Sequence, residues 1–324
     1  MPMLIDDIGP PRASSVAIEN TIRGTSMFRS PISMPLIAAI AITASLGPSL
    51  AQSFDTSSIK PEDALAARLP EKIKSAGVLT IGSDTTYAPW EFLSEKDGQT
   101  PEGIDVDIAN AIGKKLGVKV DFQTSAFEAI LPALGKKFDI GVSAFSVTNE
   151  RMKAVNFVSY ADTGSMWAVK VGNPAKFDQN DLCGRKIAIQ SGSYHEKAVA
   201  SENELCKTAG KAEIEILPFS KQPEALTRVA AGGADATVSG EAGIGYAAKQ
   251  SKGAFELLRP TAGALSKHGP NGIAVAKSDM ALTELIADTI NSLIADGTYK
   301  ALLDTWGVGS VIVEKALVNP EVKI

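Results

Sequence analysis

The sequence predicts an α/β fold arranged as two domains, and three observations support this. From residue 77 onward, short apolar runs bounded by turn residues alternate with amphipathic helical patterns. Helices placed between strands form right-handed βαβ units, so the sheets should be mainly parallel. The chain has 324 residues, which is enough for two domains of ordinary size.

The composition is that of a soluble globular protein, with 44% hydrophobic and 21% charged residues. The net charge is −5, and acidic and basic residues are interspersed along the chain. There is no basic run that could hold nucleic acid or an anionic membrane surface. We therefore expect neither nucleic acid nor a membrane surface as a partner.

The residue pattern of the N-terminal region predicts an export signal. Residues 35–46 form an apolar run that is shorter than the roughly 20 residues a membrane span requires. Ser49 and Ala51 are small residues at the −3 and −1 positions of a signal-peptidase site, which predicts cleavage before Gln52. We expect residues 1–51 to be an extension and signal peptide, and the mature protein to reside in a periplasm.

The first predicted domain begins after a polar linker at residues 52–69. Residues 104–116 carry apolar side chains at helical spacing and stop before Gly117, which is typical of a helix end. The pattern predicts strands at residues 78–82, 118–123 and 138–143, and helices at residues 104–116, 127–134 and 148–155.

The second predicted domain repeats this alternation. Its strands are expected at residues 166–171, 186–190, 213–218 and 234–239, and its helices at residues 194–208, 223–231 and 241–250. A last strand at residues 272–276 and helices at residues 281–296 and 299–306 follow.

Residues 77–157 include the runs GVLTIGSDTTYAPWEF, GIDVDIANAIGKKLGVKVDF and AFEAILPALGKKFDIGVSAFSVTNERMKAVNF. This region resembles the first lobe of the periplasmic solute-binding proteins of family 3, which deliver polar amino acids to ABC importers. The resemblance continues to about Val308. It implies a type II periplasmic binding protein fold, in which two lobes with mainly parallel sheets and flanking helices close over a ligand like a Venus flytrap. The implied first lobe covers residues 70–161 and 271–324 and the second covers residues 162–270, so the chain crosses a hinge twice.

The resemblance also implies where a ligand carboxylate binds. Arg151, in the run Ser-Val-Thr-Asn-Glu-Arg, would hold it as a bidentate clamp. Backbone N–H groups of Ser191, Gly192 and Ser193, between a strand and a helix, would face it from the second lobe.

Other positions match the family's contacts to the rest of the ligand. Tyr87 and Phe127 would sandwich its side chain, and Asp84 would meet a polar group on it. The Ser146 hydroxyl and the Ala144 carbonyl would meet the α-ammonium, and Gln190 would tune side-chain choice. Trp90 is expected to pack inside the lobe.

Two positions depart from the family pattern. Gly240 stands where the family has an aspartate that pairs with the ligand ammonium, and Glu241 follows it. Either Glu241 reaches into the cleft or the ligand lacks a free primary ammonium. Tyr194 is large where relatives often carry a small residue, so it would reshape the carboxylate end of the pocket.

Cys183 and Cys206 are the two cysteines of the chain. Export to an oxidising compartment favours a disulfide between them over two buried free thiols. His195 and His268 are the two histidines, so a metal site is not expected, and neither is a cofactor.

The sequence thus predicts a monomeric binding component of an ABC importer that captures an amino acid or a similar small carboxylate and has no catalytic residues. The partner would be a permease in the inner membrane. The alternative is an exported cyclohexadienyl dehydratase-like lyase on the same fold, with Glu241 or Asp84 as its general acid. The GxGxxA run at residues 243–248 lies inside a predicted helix and is not expected to bind a dinucleotide.

Overall fold

The structure, a computed structural model, describes residues 53–267 and 269–323. These residues fall within one compact unit, Ser49–Ile324. The predicted N-terminal extension and signal peptide, residues 1–51, lie outside the described residues, as does His268.

Within the described residues, the helices are α1 Asp63–Ala66, α2 Glu71–Ala76, α3 Ile104–Leu116, α4 Phe127–Ala133, α5 Arg151–Ala154, α6 Tyr194–Thr208, α7 Gln222–Ala230, α8 Glu241–Gln250, α9 Met280–Ala295 and α10 Thr298–Thr305. The strands are β1 Val78–Ser83, β2 Thr86–Tyr87, β3 Glu91–Leu93, β4 Pro101–Glu102, β5 Lys119–Thr124, β6 Ile140–Gly141, β7 Val155–Thr163, β8 Ser165–Lys170, β9 Lys186–Gln190, β10 Glu215–Phe219, β11 Ala236–Gly240, β12 Phe255–Leu258 and β13 Gly269–Ala276.

The first lobe is built on a five-stranded sheet with the order β5-β1-β6-β13-β7. Strands β5, β1 and β6 are parallel, with Ile81 of β1 opposite Phe122 and Ile140, while β13 runs antiparallel to both of its neighbours. Apolar faces of α3, α9 and α10 cover this sheet, and Ile108, Leu285 and other side chains of these helices share one core with it. The small antiparallel sheet β2-β3-β4 lies between β1 and α3 along the chain.

The second lobe has the same plan. Its sheet has the order β10-β9-β11-β8-β12, with β10, β9 and β11 parallel and β8 antiparallel to β11 and β12. Trp167, Ile187 and Val199 lie in its core. The predicted disulfide is confirmed, because Cys183 and Cys206 are joined at an S–S distance of 2.01 Å.

The chain leaves the first sheet at the end of β7, passes through Gly164 and enters the second sheet at β8. It returns between β12 and β13. The first lobe is therefore assembled from two separate stretches of the chain, and two connections join the lobes.

Helix α3 has the predicted bounds because its ends are marked chemically. Asp105 and Asp107 lie in the first turn, where acidic groups complement the helix dipole. Gly117 ends the helix with a φ of 69°, a left-handed conformation that favours glycine, and its N–H donates to the carbonyl of Gly113.

Several parts of the first lobe differ from the predictions, which also lack α2 and the short strands β2, β3 and β4. Residues 52–69, expected to be a linker, contain α1, and Ile59, Leu65 and Leu69 are buried in the first-lobe core. The pattern also missed β7, which is buried over most of its length and therefore lacks a polar face. The buried Asn156 in β7 is tolerated because its amide donates to the carbonyl of Lys277 and accepts from the Asn319 amide.

Candidate functional site

The carboxyl ends of parallel strands from both lobes meet at one cavity, where open α/β sheets usually bind ligands. Asp84 follows β1, Ser143 follows β6, Gln190 ends β9 and Gly240 ends β11, and all four line this cavity. Its volume is about 40 Å³. Pockets that hold small molecules are typically several times larger, at roughly 300–1,000 Å³, so the two lobes are closely apposed here.

Direct hydrogen bonds join the lobes across this cleft. The Tyr87 hydroxyl lies 2.9 Å from the Ser239 hydroxyl, and the Gln190 amide donates to Asp84 over 2.7 Å. At the rim, Lys197 of the second lobe forms an ion pair with Glu150 of the first.

Arg151 begins helix α5 and lies half-buried at the cavity wall. Its guanidinium donates to the carbonyl of Ser146 over 2.8 Å and to the carbonyl of Gly192 in the second lobe over 2.9 Å. Burial lowers the pKa of Arg151 to about 10, so it remains charged near neutral pH. No carboxylate of the described residues forms an ion pair with it. A half-buried cation with only neutral protein partners is suited to hold an anion.

The turn before α6 is arranged differently from the expectation. Ser193 caps the helix by accepting from the Glu196 N–H, and the Glu196 carboxylate in turn accepts from the Gly192 N–H over 2.7 Å. The N–H groups of Ser191 and Ser193 donate to Phe219 and Gln190. All three predicted anion-binding N–H groups are thus occupied by the protein, and the turn presents the Gly192 carbonyl to Arg151 instead.

The aromatic residues of the site lie where the sequence placed them. Tyr87 and Phe127 both line the cavity, and the Arg151 guanidinium lies 5.6 Å from the centroid of the Phe127 ring. Trp90 is buried, as expected, and stacks edge-on against Tyr160. Tyr194 lines the cavity and anchors its hydroxyl on the carbonyl of Ala264.

Asp84, Ala144 and Ser146 also line the cavity. Burial raises the pKa of Asp84, and hydrogen bonds from Thr86 and Gln190 partly offset this. Ala144 has a φ of 42°, and its N–H donates to the buried Asp105 carboxylate over 2.7 Å.

The structure explains the glycine at position 240 and corrects the hypothesis about Glu241. A Cβ atom on Gly240 would lie 3.0 Å from the Tyr87 hydroxyl, so the Tyr87 side chain approaches the space that a larger residue would need. The Glu241 carboxylate does not line the cavity; it forms a bidentate ion pair with Arg259 on the protein surface. Because that pair holds Glu241 outside the cleft, it does not replace the family's aspartate.

Sequence reasoning missed several residues that line the cavity, of which Glu91 and His195 are the most notable. Glu91 is fully buried in β3, and the Ser143 hydroxyl donates to it over 2.7 Å. His195 lies 3.1 Å from the Ser165 hydroxyl, and burial together with the charge of Arg151 lowers its pKa to about 3. The remaining residues missed are Ser143, Thr163, Gly164, Ser165, Ser239, Lys267, Gly269 and Asn271.

A charged residue directly after a buried aromatic, as in Trp90-Glu91, was the available signal for Glu91. It went unused because β3 is only three residues long and shows no clear alternation. His195 follows the predicted helix start directly, but whether its ring turns into the cleft depends on contacts between distant segments.

Two α/β lobes, a cleft at the ends of their parallel strands and a half-buried arginine in that cleft define a two-lobed binding protein. Comparison with known families agrees: residues 79–309 match the profile of the bacterial extracellular solute-binding proteins, family 3. The chain belongs to this family.

Characterised relatives are similar over most of their length. The arginine-binding protein ArgT of Corynebacterium glutamicum is 29% identical over 81% of this chain and 84% of its own. The lysine/arginine/ornithine-binding periplasmic protein of Escherichia coli is 30% identical over 72% of this chain and 86% of its own.

Solved structures match as well. An ancestral arginine-binding protein bound to arginine has a TM-score of 0.63 and 33% identity, covering 71% of this chain and 98% of its own. The ancestral amino acid-binding protein AncCDT-1, a precursor of cyclohexadienyl dehydratase, has a TM-score of 0.61 and 32% identity, covering 73% and 98%. Across residues 53–267 and 269–323, none of the helices combines the length and apolar content needed to cross a bilayer.

Proposed function

We propose that this protein is the exported ligand-binding component of an ABC importer and that its ligand is an amino acid. The observation that carries the proposal is Arg151, a half-buried residue at the cleft whose guanidinium has carbonyl oxygens as its described hydrogen-bond acceptors. An α-carboxylate would supply the charge that this group lacks. The names of the relatives, which bind arginine, lysine or cystine, support the same class of ligand.

Acidic groups in the cavity favour a ligand that also carries positive charge. Asp84 and Glu91 line the same cavity as Arg151. An amino acid with a cationic side chain would place its carboxylate at Arg151 and its cationic groups towards these carboxyls. Tyr87 and Phe127 would contact the aliphatic part of that side chain.

Binding would require the lobes to separate and then close, because the cavity of about 40 Å³ is smaller than any amino acid. The connections at Gly164 and between β12 and β13 would act as the hinge. The closed form would then be recognised by an inner-membrane permease. Residues 1–51 would direct export to the periplasm and be removed, leaving a soluble monomer without enzymatic activity.

The lyase alternative is not favoured. Of its two candidate acids, Glu241 is paired with Arg259 outside the cavity. Burial raises the pKa of Asp84, and hydrogen bonds from Thr86 and Gln190 partly offset this rise. The relatives are named as binding proteins rather than as lyases.

The test is a thermal-shift screen of the mature chain against the L-amino acids, followed by titration calorimetry of each hit. A ligand at 100 times its Kd stabilises the folded state by about 2.7 kcal/mol, which a thermal shift detects easily. We expect L-arginine or L-lysine among the strongest hits. A screen in which no amino acid shifts the transition would contradict the proposal.

A further inference from the structure

Two carboxyl groups that interact electrostatically lie beneath the cleft. Glu91 on β3 and Asp105 on α3 are both fully buried, and Glu91 also lines the cavity. Asp105 accepts from the Tyr160 hydroxyl over 2.6 Å and from the Ala144 N–H over 2.7 Å. Both oxygens of Asp105 therefore have donors.

Glu91 is less completely bonded. Its Oε1 accepts from the Ser143 hydroxyl, but no donor of the described residues reaches its Oε2. No ion pair of the described part of the chain involves Glu91 either. A buried charged oxygen without a donor is strongly unfavourable. A proton on Glu91, held between it and Asp105, removes this cost.

The surroundings of Glu91 favour that proton. Burial and the neighbouring Asp105 carboxyl raise the pKa of Glu91 well above its usual value, and Asp84 adds to this. Burial raises the pKa of Asp105 to about 6. The other titratable groups facing Glu91 are the hydroxyls of Tyr87 and Tyr160, whose own pKa values are raised. Two adjacent buried carboxyls cannot both ionise without a counter-charge, so they share one proton.

We propose that the Glu91–Asp105 pair is a proton-releasing counter-charge for a cationic nitrogen of the ligand. This inference rests on the proposed function. Before binding, the pair carries one negative charge and one proton. When an ammonium or guanidinium docks beside Glu91, the shared proton leaves to solvent, and two carboxylates then face the cation. The first lobe thereby supplies the negative charge that Gly240 does not supply from the second.

Because binding releases a proton, the affinity for the ligand depends on pH. At low pH the ligand must displace the proton, whereas at high pH the pair is already ionised. The affinity of the wild-type protein should therefore rise with pH, by up to about tenfold per unit while the free protein still holds the proton.

The first experiment measures the protonation of Glu91 in the absence of any ligand. Protein labelled with ¹³C at the glutamate carboxyls is titrated by NMR, and the Glu91 resonance is assigned by its loss in Glu91→Gln. We expect one glutamate to remain protonated above about pH 6, where exposed glutamates have ionised. Ordinary titration of Glu91 would overturn the proposal whatever the ligand is.

The second experiment measures how many protons the protein releases when it binds a ligand, with L-arginine as the probe. Calorimetry in buffers of different ionisation enthalpy should give release of about one proton per ligand for the wild type near pH 6. Glu91→Gln keeps the shape of the protonated carboxyl but has no proton to release. Its affinity should match the wild type at about pH 5 and fall at least tenfold below it at about pH 8. Glu284→Gln, the same change on the exposed face of α9, is the matched control and should behave as the wild type.

L-Citrulline has a neutral ureido group in place of the guanidinium. It therefore shows whether the cationic nitrogen that faces the pair is in the ligand side chain or is the α-ammonium. Proton release with L-arginine alone assigns the pair to the side-chain cation, and release with both ligands assigns it to the α-ammonium. Binding of L-arginine without proton release and with pH-independent affinity overturns this inference but leaves the proposed function intact. Failure of the wild type to bind any amino acid contradicts the proposed function, and the NMR titration still decides the protonation of Glu91.

Discussion

The two lobes share an architecture but give the cleft different chemistry. Each is a five-stranded sheet with three neighbouring parallel strands. The first lobe contributes Arg151, Asp84 and Glu91 to the cavity. The second contributes uncharged groups such as Gln190 and His195, whose pKa of about 3 leaves it neutral near pH 7, together with the exposed lysine Lys267.

This division has a physical consequence for binding. A ligand that docks on the first lobe meets its charged partners while the cleft is open to water. Closure of the second lobe then removes water and strengthens those attractions, because the local dielectric constant falls. Because Lys267 of the second lobe is exposed and donates to the carbonyl of Lys323, closure of that lobe does not bury a charge without a partner.

The largest expected effect comes from the first lobe's arginine. Arg151→Lys should reduce amino-acid affinity by at least about a hundredfold, or roughly 2.7 kcal/mol, because lysine keeps the charge but lacks the planar fork that donates two hydrogen bonds to a carboxylate. Arg259→Lys, in the second lobe and paired with Glu241 on the surface, is the matched control and should bind normally. Titration calorimetry on both variants is decisive; equal affinities would mean that Arg151 is not the carboxylate site.

Removal of the disulfide should lower the stability of the second lobe relative to the first, rather than change ligand binding. Cys183 and Cys206 are 23 residues apart in the second lobe, so replacing both with alanine should lower its unfolding free energy by roughly 3 kcal/mol. Hydrogen exchange should then quicken in α6 and β9 and stay unchanged in α3 and β1. Uniform loss of protection would indicate that the lobes unfold as one unit.

Contact between the lobes can be tested with two glycines of α8. A Cβ on Gly243 would lie 2.5 Å from the Tyr87 ring of the first lobe, whereas a Cβ on Gly245 meets nothing within 4 Å. Gly243→Ala should hinder closure and weaken ligand binding by about tenfold, or 1.4 kcal/mol. Gly245→Ala should bind normally and gain up to about 1 kcal/mol of helix stability. Small-angle scattering should show a more open Gly243→Ala protein; unchanged scattering and affinity would argue against this closed arrangement.

The smallest effects concern stability as a function of pH, where the lobes should act in opposite directions. The pKa of His195 is about 3 in the folded state, below its ordinary value of 6.5, so the unfolded chain binds the extra proton and stability falls as pH drops below about 6.5. The raised pKa of Glu91 has the reverse sign: its contribution is complete below 4.5 and is lost as pH rises.

Each slope is at most about 1.4 kcal/mol per pH unit. Denaturant unfolding of His195→Gln should therefore show less acid sensitivity, and unfolding of Glu91→Gln should show less loss of stability at high pH. If neither substitution alters the pH profile, these two groups do not titrate on unfolding as described.

Local patterns were sufficient where an element has a marked start and end. The bounds of α3, α6, α8 and β9 follow from apolar spacing, capping residues and terminal glycines, all of which act within a few residues. The resemblance to the family predicted that Asp84, which follows β1, and Tyr87, which lies in β2, are at the cleft, and both line the cavity. The disulfide could be predicted because the chain has only two cysteines.

Elements that pack against distant segments of the chain could not be predicted from local patterns. Strand β7 pairs with β13 along one edge, hydrogen-bonds to the segment near Leu317, and is buried over most of its length, so its sequence lacks the alternation of a half-exposed strand. Residues 53–69 look polar on average, yet Ile59, Leu65 and Leu69 find places in a core formed by α3 and α9.

By itself, the sequence determined the α/β class and most helices and strands, because these depend on short-range periodicity and strand ends. Its resemblance to a known family predicted the two-lobed plan and the position of Arg151 at the cleft. Only the tertiary structure decided which carboxyl groups face the cavity. Glu241 was the nearest candidate along the chain, but Arg259 holds it outside, while Glu91 is placed under the cleft beside Asp105. The direction of a side chain and the protonation of a carboxyl depend on neighbours in space, and sequence proximity does not specify those neighbours.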